Sequence, residues 1–148
     1  MVLQRLVPAA IVASVLLAAV APAQASSTVF IRNNSGGMIA KYAMIAANYR
    51  NTGTQVNFVG RCDSACTLFL GLPASQTCVS RGAYFRFHSP FGVSARQQGM
   101  AQDYLLRKYP DWVRQWIGQR NGLTHQLKTM DYSYASKFMR TCDAVASR

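Results

Sequence analysis

The chain has 148 residues, half of them hydrophobic, with a formal charge of +11 from 16 Lys and Arg against five acids. That charge favours anionic surfaces as partners. The arginines are dispersed, however, and the sequence has no aromatic-plus-glycine RNA motif, zinc-finger spacing, or nucleotide or flavin fingerprint, so no nucleic acid, metal or cofactor is expected.

In chain order, residues 1–25 read as a secretory signal peptide. They contain one charge, Arg5, then an apolar stretch from Leu6 to Val20 and a small-x-small site at Ala23-Gln24-Ala25. Pro8 interrupts the apolar stretch, which is shorter than the ~20 residues a spanning helix needs. Residues 26–148 then form one exported domain, periplasmic or secreted, large enough for its own core. Thr28 to Arg32 is β-rich and ends at Asn33-Asn34-Ser35-Gly36-Gly37. Met38 to Arg50 is rich in alanine at helical spacing. Gln55 to Val59 alternates as a strand does, and Ser64 to Leu70 reads as a buried helix. Short strands are expected at Cys78–Ser80 and Ala83–Phe87, and a helix over Ser94–Lys108. A further helix opens at Pro110 with Asp111 in its first turn. Thr124 is placed to cap a helix reaching Met130, and Tyr134 to Met139 makes a last short one. Alternation of this kind predicts an α/β domain.

Four cysteines, an even number, suggest two disulfides in an oxidising compartment. The spacing Cys62-x-x-x-Cys66 lacks the second short pair of a structural zinc site. Three pairings are possible. A quick return from the Ser64 helix to the Cys78 strand favours Cys66–Cys78, which leaves Cys62–Cys142.

The chemistry concentrates in two stretches. In Gly60-Arg61-Cys62-Asp63-Ser64-Ala65-Cys66-Thr67 a serine stands among small residues where an apolar helix opens. In Phe85-Arg86-Phe87-His88-Ser89-Pro90 a histidine ends a strand. Acyl transfer needs a nucleophile, a base and backbone N–H groups that hold an oxyanion. Amides at the start of a helix lack internal partners and sit at its positive end, and an imidazole in reach of Ser64 could take the hydroxyl proton. Each part also has a structural reading: Ser64 as a helix cap, His88 as a hydrogen-bonded strand end, Gly36-Gly37 as a turn.

Together, Asn-Ser-Gly-Gly after a strand, Ser64-Ala-Cys at a helix start and His88-Ser-Pro at a strand end resemble the Clp protease proteolytic subunit and its crotonase-like superfamily. Gly-x-Cys-x-Ser-Ala-Cys-Thr and Tyr-Pro-Asp-Trp-Val-Arg-Gln-Trp-Ile resemble small exported members of that superfamily with no assigned function. The resemblance spans about Val29 to Cys142 and implies a reduced crotonase-like α/β fold. It implies Ser64 as nucleophile, His88 as general base, and Gly36, Gly37 and the Ala65 N–H as the oxyanion site. Ser35 stands where the family pattern has Pro, and no carboxylate falls at Ser136–Phe138, where the acid that orients the histidine would be. Asp131 and His125 are the nearest candidates for that part. The expectation is an exported, peptidase-like serine hydrolase acting on a peptide or an anionic envelope component. The alternative is a non-catalytic binding module or pseudoenzyme of the same fold, acting in the cell envelope through its basic surface.

Overall fold

The computed structural model describes residues 27–143; the expected signal peptide lies outside them. The fold is mixed α/β, built on one five-stranded sheet. Strand β1 (Thr28–Asn34) leads to helix α1 (Ile39–Thr52), which closes on Gly53 at φ +70°, a left-handed position suited to glycine. Strand β2 follows (Gln55–Asp63), then a 3-10 helix (Ser64–Gly71), β3 (Thr77–Val79) and β4 (Tyr84–Phe87). Helices α2 (Ala95–Lys108) and α3 (Asp111–Gly118), strand β5 (Lys128–Asp131) and the short α4 (Tyr132–Ala135) complete the order.

Strand β2 is the hub. It runs parallel to β1 on one side; on the other its first half pairs with β3 and its second half with β4, both parallel. Strand β5 runs antiparallel to β4. Along β4, Phe85 and Phe87 are buried while Tyr84 and Arg86 are half-exposed, the alternation of a strand with one covered face. Phe87 packs on Tyr109 and Trp116, and Phe85 on Phe58, forming the centre of the core. The parallel pairing sets where chemistry can occur. Asn34 stands beside Cys62, and Asp63 beside Arg86, so β1, β2 and β4 all end at one edge of the sheet. Ligands in open parallel sheets bind outside such carboxyl ends.

Three expectations are corrected. Thr124 to Met130 is not a helix. The Thr124 hydroxyl bonds the Gln126 carbonyl in an irregular segment, and Lys128–Asp131 is drawn into the sheet, with Met130 opposite Phe85 and 1% exposed. The segment beginning at Ser64 is a 3-10 helix, tighter than an α-helix.

The cysteines pair as Cys62–Cys66 and Cys78–Cys142, not as Cys66–Cys78 and Cys62–Cys142. Strand β2 extends to Asp63, so Cys62 is its penultimate residue and Cys66 lies one turn beyond, with Cα atoms 5.4 Å apart. Cys78 sits opposite Asn57, five residues back along β2, or roughly 17 Å from Cys62 at strand rise. There the C-terminal segment joins it. The Val79 amide donates to the Arg140 carbonyl at 2.9 Å and Val79 bridges to Thr141, which brings Cys142 onto Cys78.

Candidate active site

Three chain segments leave the same sheet edge and converge: Ser35–Gly37 after β1, Ser64 after β2 and His88 after β4. Ser64 has φ +54°, a left-handed value that is uncommon for a residue with a side chain and recurs at functional sites. Several contacts hold it there. The Thr67 hydroxyl donates to the Ser64 carbonyl at 2.6 Å, and the buried Tyr109 hydroxyl donates in turn to Thr67 at 2.6 Å. Burial pushes the Tyr109 hydroxyl up to about 12, with the bond to Thr67 acting against that rise. The Cys62–Cys66 bridge spans the same turn.

Gly36 packs directly against it. A Cβ there would lie 2.5 Å from the Asp63 carbonyl oxygen, 2.8 Å from Ser64 Cβ and 2.9 Å from the Ala65 nitrogen, and the residue has φ +78°. Only glycine fits this approach. The Gly36 amide donates to Asn34 Oδ1 at 2.9 Å, and the Tyr42 hydroxyl donates to the same oxygen at 2.5 Å. The Gly36 amide thus already has an acceptor, and the glycine lets the turn approach Ser64. Among the described residues no acceptor takes the Gly37 amide. Ala65 is the second residue of the 3-10 helix, whose first amides have no partner inside the helix.

His88 is half-buried, its ring 5.4 Å from that of Phe91. Its Nδ1 lies 2.7 Å from the Ser89 carbonyl oxygen. A carbonyl only accepts, so this contact fixes the tautomer: Nδ1 carries the proton and Nε2 keeps a lone pair. Neither expected orienter performs this task. Asp131 lies opposite Tyr84, at the far end of β4, roughly 13 Å along the strand from His88. Its carboxylate caps α4, accepting from the Tyr134 amide at 3.0 Å and the Ser133 hydroxyl at 2.7 Å. The Ser133 bond first, and then the Tyr134 amide, lower its pKa. His125 approaches the Ser89 hydroxyl at 3.4 Å instead of His88. Ser64 Oγ makes no hydrogen bond among the described residues.

Ser64, His88 and the Ser35–Gly37 turn line one cleft of about 590 Å³. Met38, Phe91 and Val93 make its walls apolar, and Phe91 is 73% exposed at the rim. A second recess of about 390 Å³ adjoins it across Ser64 and His88. Arg61, Asp63, Arg86 and His125 line this one. Asp63 is buried and accepts Arg86 Nε at 2.8 Å and a terminal nitrogen at 2.5 Å. That bond is the main reason the Arg86 pKa is raised. Sequence reasoning did not assign Asn34, Tyr42, Thr67, Tyr109 and the Asp63–Arg86 pair to the site. The one signal for any of them was the charge pair Asp63 and Arg86, each two residues or fewer from a predicted catalytic position.

All four cysteines are in bridges, as is typical of exported proteins, and no helix among the described residues is long and apolar enough to cross a membrane. No protein-family model and no curated protein matches the chain. Among solved structures it resembles the crystal structure of a peptidase from Plasmodium falciparum, with 9% sequence identity and a TM-score of 0.51, over 78% of this chain and 75% of that one. At that identity the likeness is one of fold.

Proposed function

We propose that the protein is an exported serine hydrolase, peptidase-like, of the Clp-protease and crotonase type, with Ser64 as nucleophile and His88 as general base. One observation carries this reading: a left-handed serine, a histidine with a fixed tautomer and a glycine turn meet in a single cleft at the carboxyl ends of three parallel strands. His88 Nε2 takes the Ser64 proton as Oγ attacks an acyl carbon. The Gly37 and Ala65 amides face the developing oxyanion. The Ser89 carbonyl replaces the carboxylate of a triad. It holds the ring but brings no negative charge to stabilise the imidazolium, so turnover should be slow for a serine hydrolase. The distant peptidase fold agrees with this chemistry.

A fluorophosphonate probe tests the reading. Labelling should map to Ser64, vanish in Ser64→Ala and fall at least about a hundredfold in His88→Ala, the usual worth of a general base. The missing carboxylate favours one other reading, a cleft that binds a peptide without cleaving it. That reading predicts an unlabelled but fully folded wild-type protein.

A further inference from the structure

We infer that the recess lined by Arg61, Arg86 and His125 is a carboxylate-binding subsite, so that the ligand of this cleft is a peptide with an apolar side chain on one side of Ser64 and a carboxylate on the other. The inference rests on the cleft being a peptide site, whether or not it cleaves.

The argument begins with charge. Two guanidinium groups in the recess face one carboxylate, Asp63. Arg86 gives that carboxylate two well-formed hydrogen bonds. Arg61 shares it only loosely: its Nε is 3.6 Å from Asp63 Oδ2, an ion pair too long for a hydrogen bond. Arg61 Nε is shielded from water and makes no hydrogen bond, so Asp63 leaves this guanidinium's donors largely unspent. A buried charged donor without a hydrogen bond is costly, and folded proteins rarely leave one so. An incoming oxyanion would not reach that atom but would meet the part of the same guanidinium that opens on the recess.

The positions of the two arginines follow from the sheet. Arg61 and Asp63 are two apart on β2, and Arg86 stands opposite Asp63 on β4, so all three share one face. Asp63 locks Arg86 in place, which leaves its other terminal nitrogen and the Arg61 guanidinium as a preorganised pair of donors. Planar guanidinium forks match a carboxylate in shape as well as charge. Their side chains are 27% and 31% exposed, so the charges are reachable but partly shielded from water. The recess shares Ser35, Ser64, His88 and Phe91 with the apolar cleft, so one ligand can occupy both.

The test measures binding, so it holds even for an inactive site. Ser64→Ala protein is titrated by calorimetry with N-acetyl-leucyl-leucine, its C-terminal amide, and N-acetyl-leucyl-aspartyl amide. At least one carboxylate peptide should bind about tenfold or more tighter than the uncharged amide, the scale of a charge-assisted pair. Preference for the first locates a free C-terminus in the recess; preference for the third locates an acidic side chain. The difference should shrink at high salt and disappear in Arg61→Gln, with Arg61→Lys keeping part of it. His125→Ala, farther from Asp63 in the chain, gives a second variant should Arg61→Gln lower the melting temperature. Equal binding of all three peptides, or a preference unchanged by both substitutions, overturns the subsite. Fluorophosphonate labelling of the wild type reports on the catalytic reading separately.

Discussion

At the residue scale, the site depends most on Gly36. Its contacts are two backbone atoms and the Ser64 Cβ, none of which can swing away, so Gly36→Ala should destabilise the fold by about 2 kcal/mol or more and displace the Ser64 turn. At Gly37 an added Cβ would meet only Tyr42, at 3.7 Å, with φ +154°. Comparing the two alanine variants by thermal melting separates steric clash from backbone strain. Equal stabilities would show that the Gly36 contact is not a real constraint. Gly36, Gly37, Ser64 and His88 were legible in the sequence because each is a residue type with few alternatives in its setting. The partner of His88 was not. Sequence reasoning searched for an acid, whereas the ring is held by a backbone carbonyl, which any residue at position 89 supplies. No side-chain pattern can announce such a contact.

At the scale of elements, the 3-10 helix that carries Ser64 is held from behind by the residue that ends α2. Tyr109 follows that helix, and its hydroxyl reaches Thr67 inside the core, 42 positions away in sequence. Tyr109→Phe should cost about 1–2 kcal/mol at neutral pH, the usual value of a buried hydrogen bond. The pH dependence has a definite sign. The folded pKa, about 12, lies above the ordinary tyrosine value of 10.0, so the unfolded chain gives up this proton first. The stability that Tyr109 contributes is therefore intact below about pH 10 and is lost between there and about pH 12, by up to roughly 2–3 kcal/mol. Urea melts of the wild type and Tyr109→Phe across that range should converge; parallel curves would refute the assignment. Elements with strong periodicity, such as α1 and α2, were readable almost to their ends. Lys128–Asp131 was not, since four residues beside β4 become a strand through pairing and not through their own preference. Pairing with β1 and β4 likewise extends β2 four residues past its apparent end and places Cys62 beside the turn.

At the scale of the whole molecule, the two bridges have unequal duties. Cys62–Cys66 closes a separation of four residues and Cys78–Cys142 one of 64. On the loop-entropy model the long bridge should contribute about 4 kcal/mol and the short one about 2. Replacing Cys78 and Cys142 together should therefore lower the unfolding free energy more than replacing Cys62 and Cys66. The short-bridge variant should instead lose fluorophosphonate labelling while it stays folded. If the short-bridge variant were the less stable of the two, or labelled normally, this division would be wrong. The pairing has a further consequence for biogenesis. Numbered along the chain, the cysteines join first to second and third to fourth. A chain that emerges N-terminus first into an oxidising environment meets its correct partner each time the next unpaired thiol appears. Cys62 and Cys66 close while the rest of the domain is still arriving, and Cys78 then has one thiol left to find. Maturation should consequently proceed without thiol–disulfide reshuffling. Oxidised protein from cells lacking a disulfide isomerase should carry the same two bridges in the same yield, and accumulation of a Cys66–Cys78 species there would show that the order of synthesis does not guide the pairing.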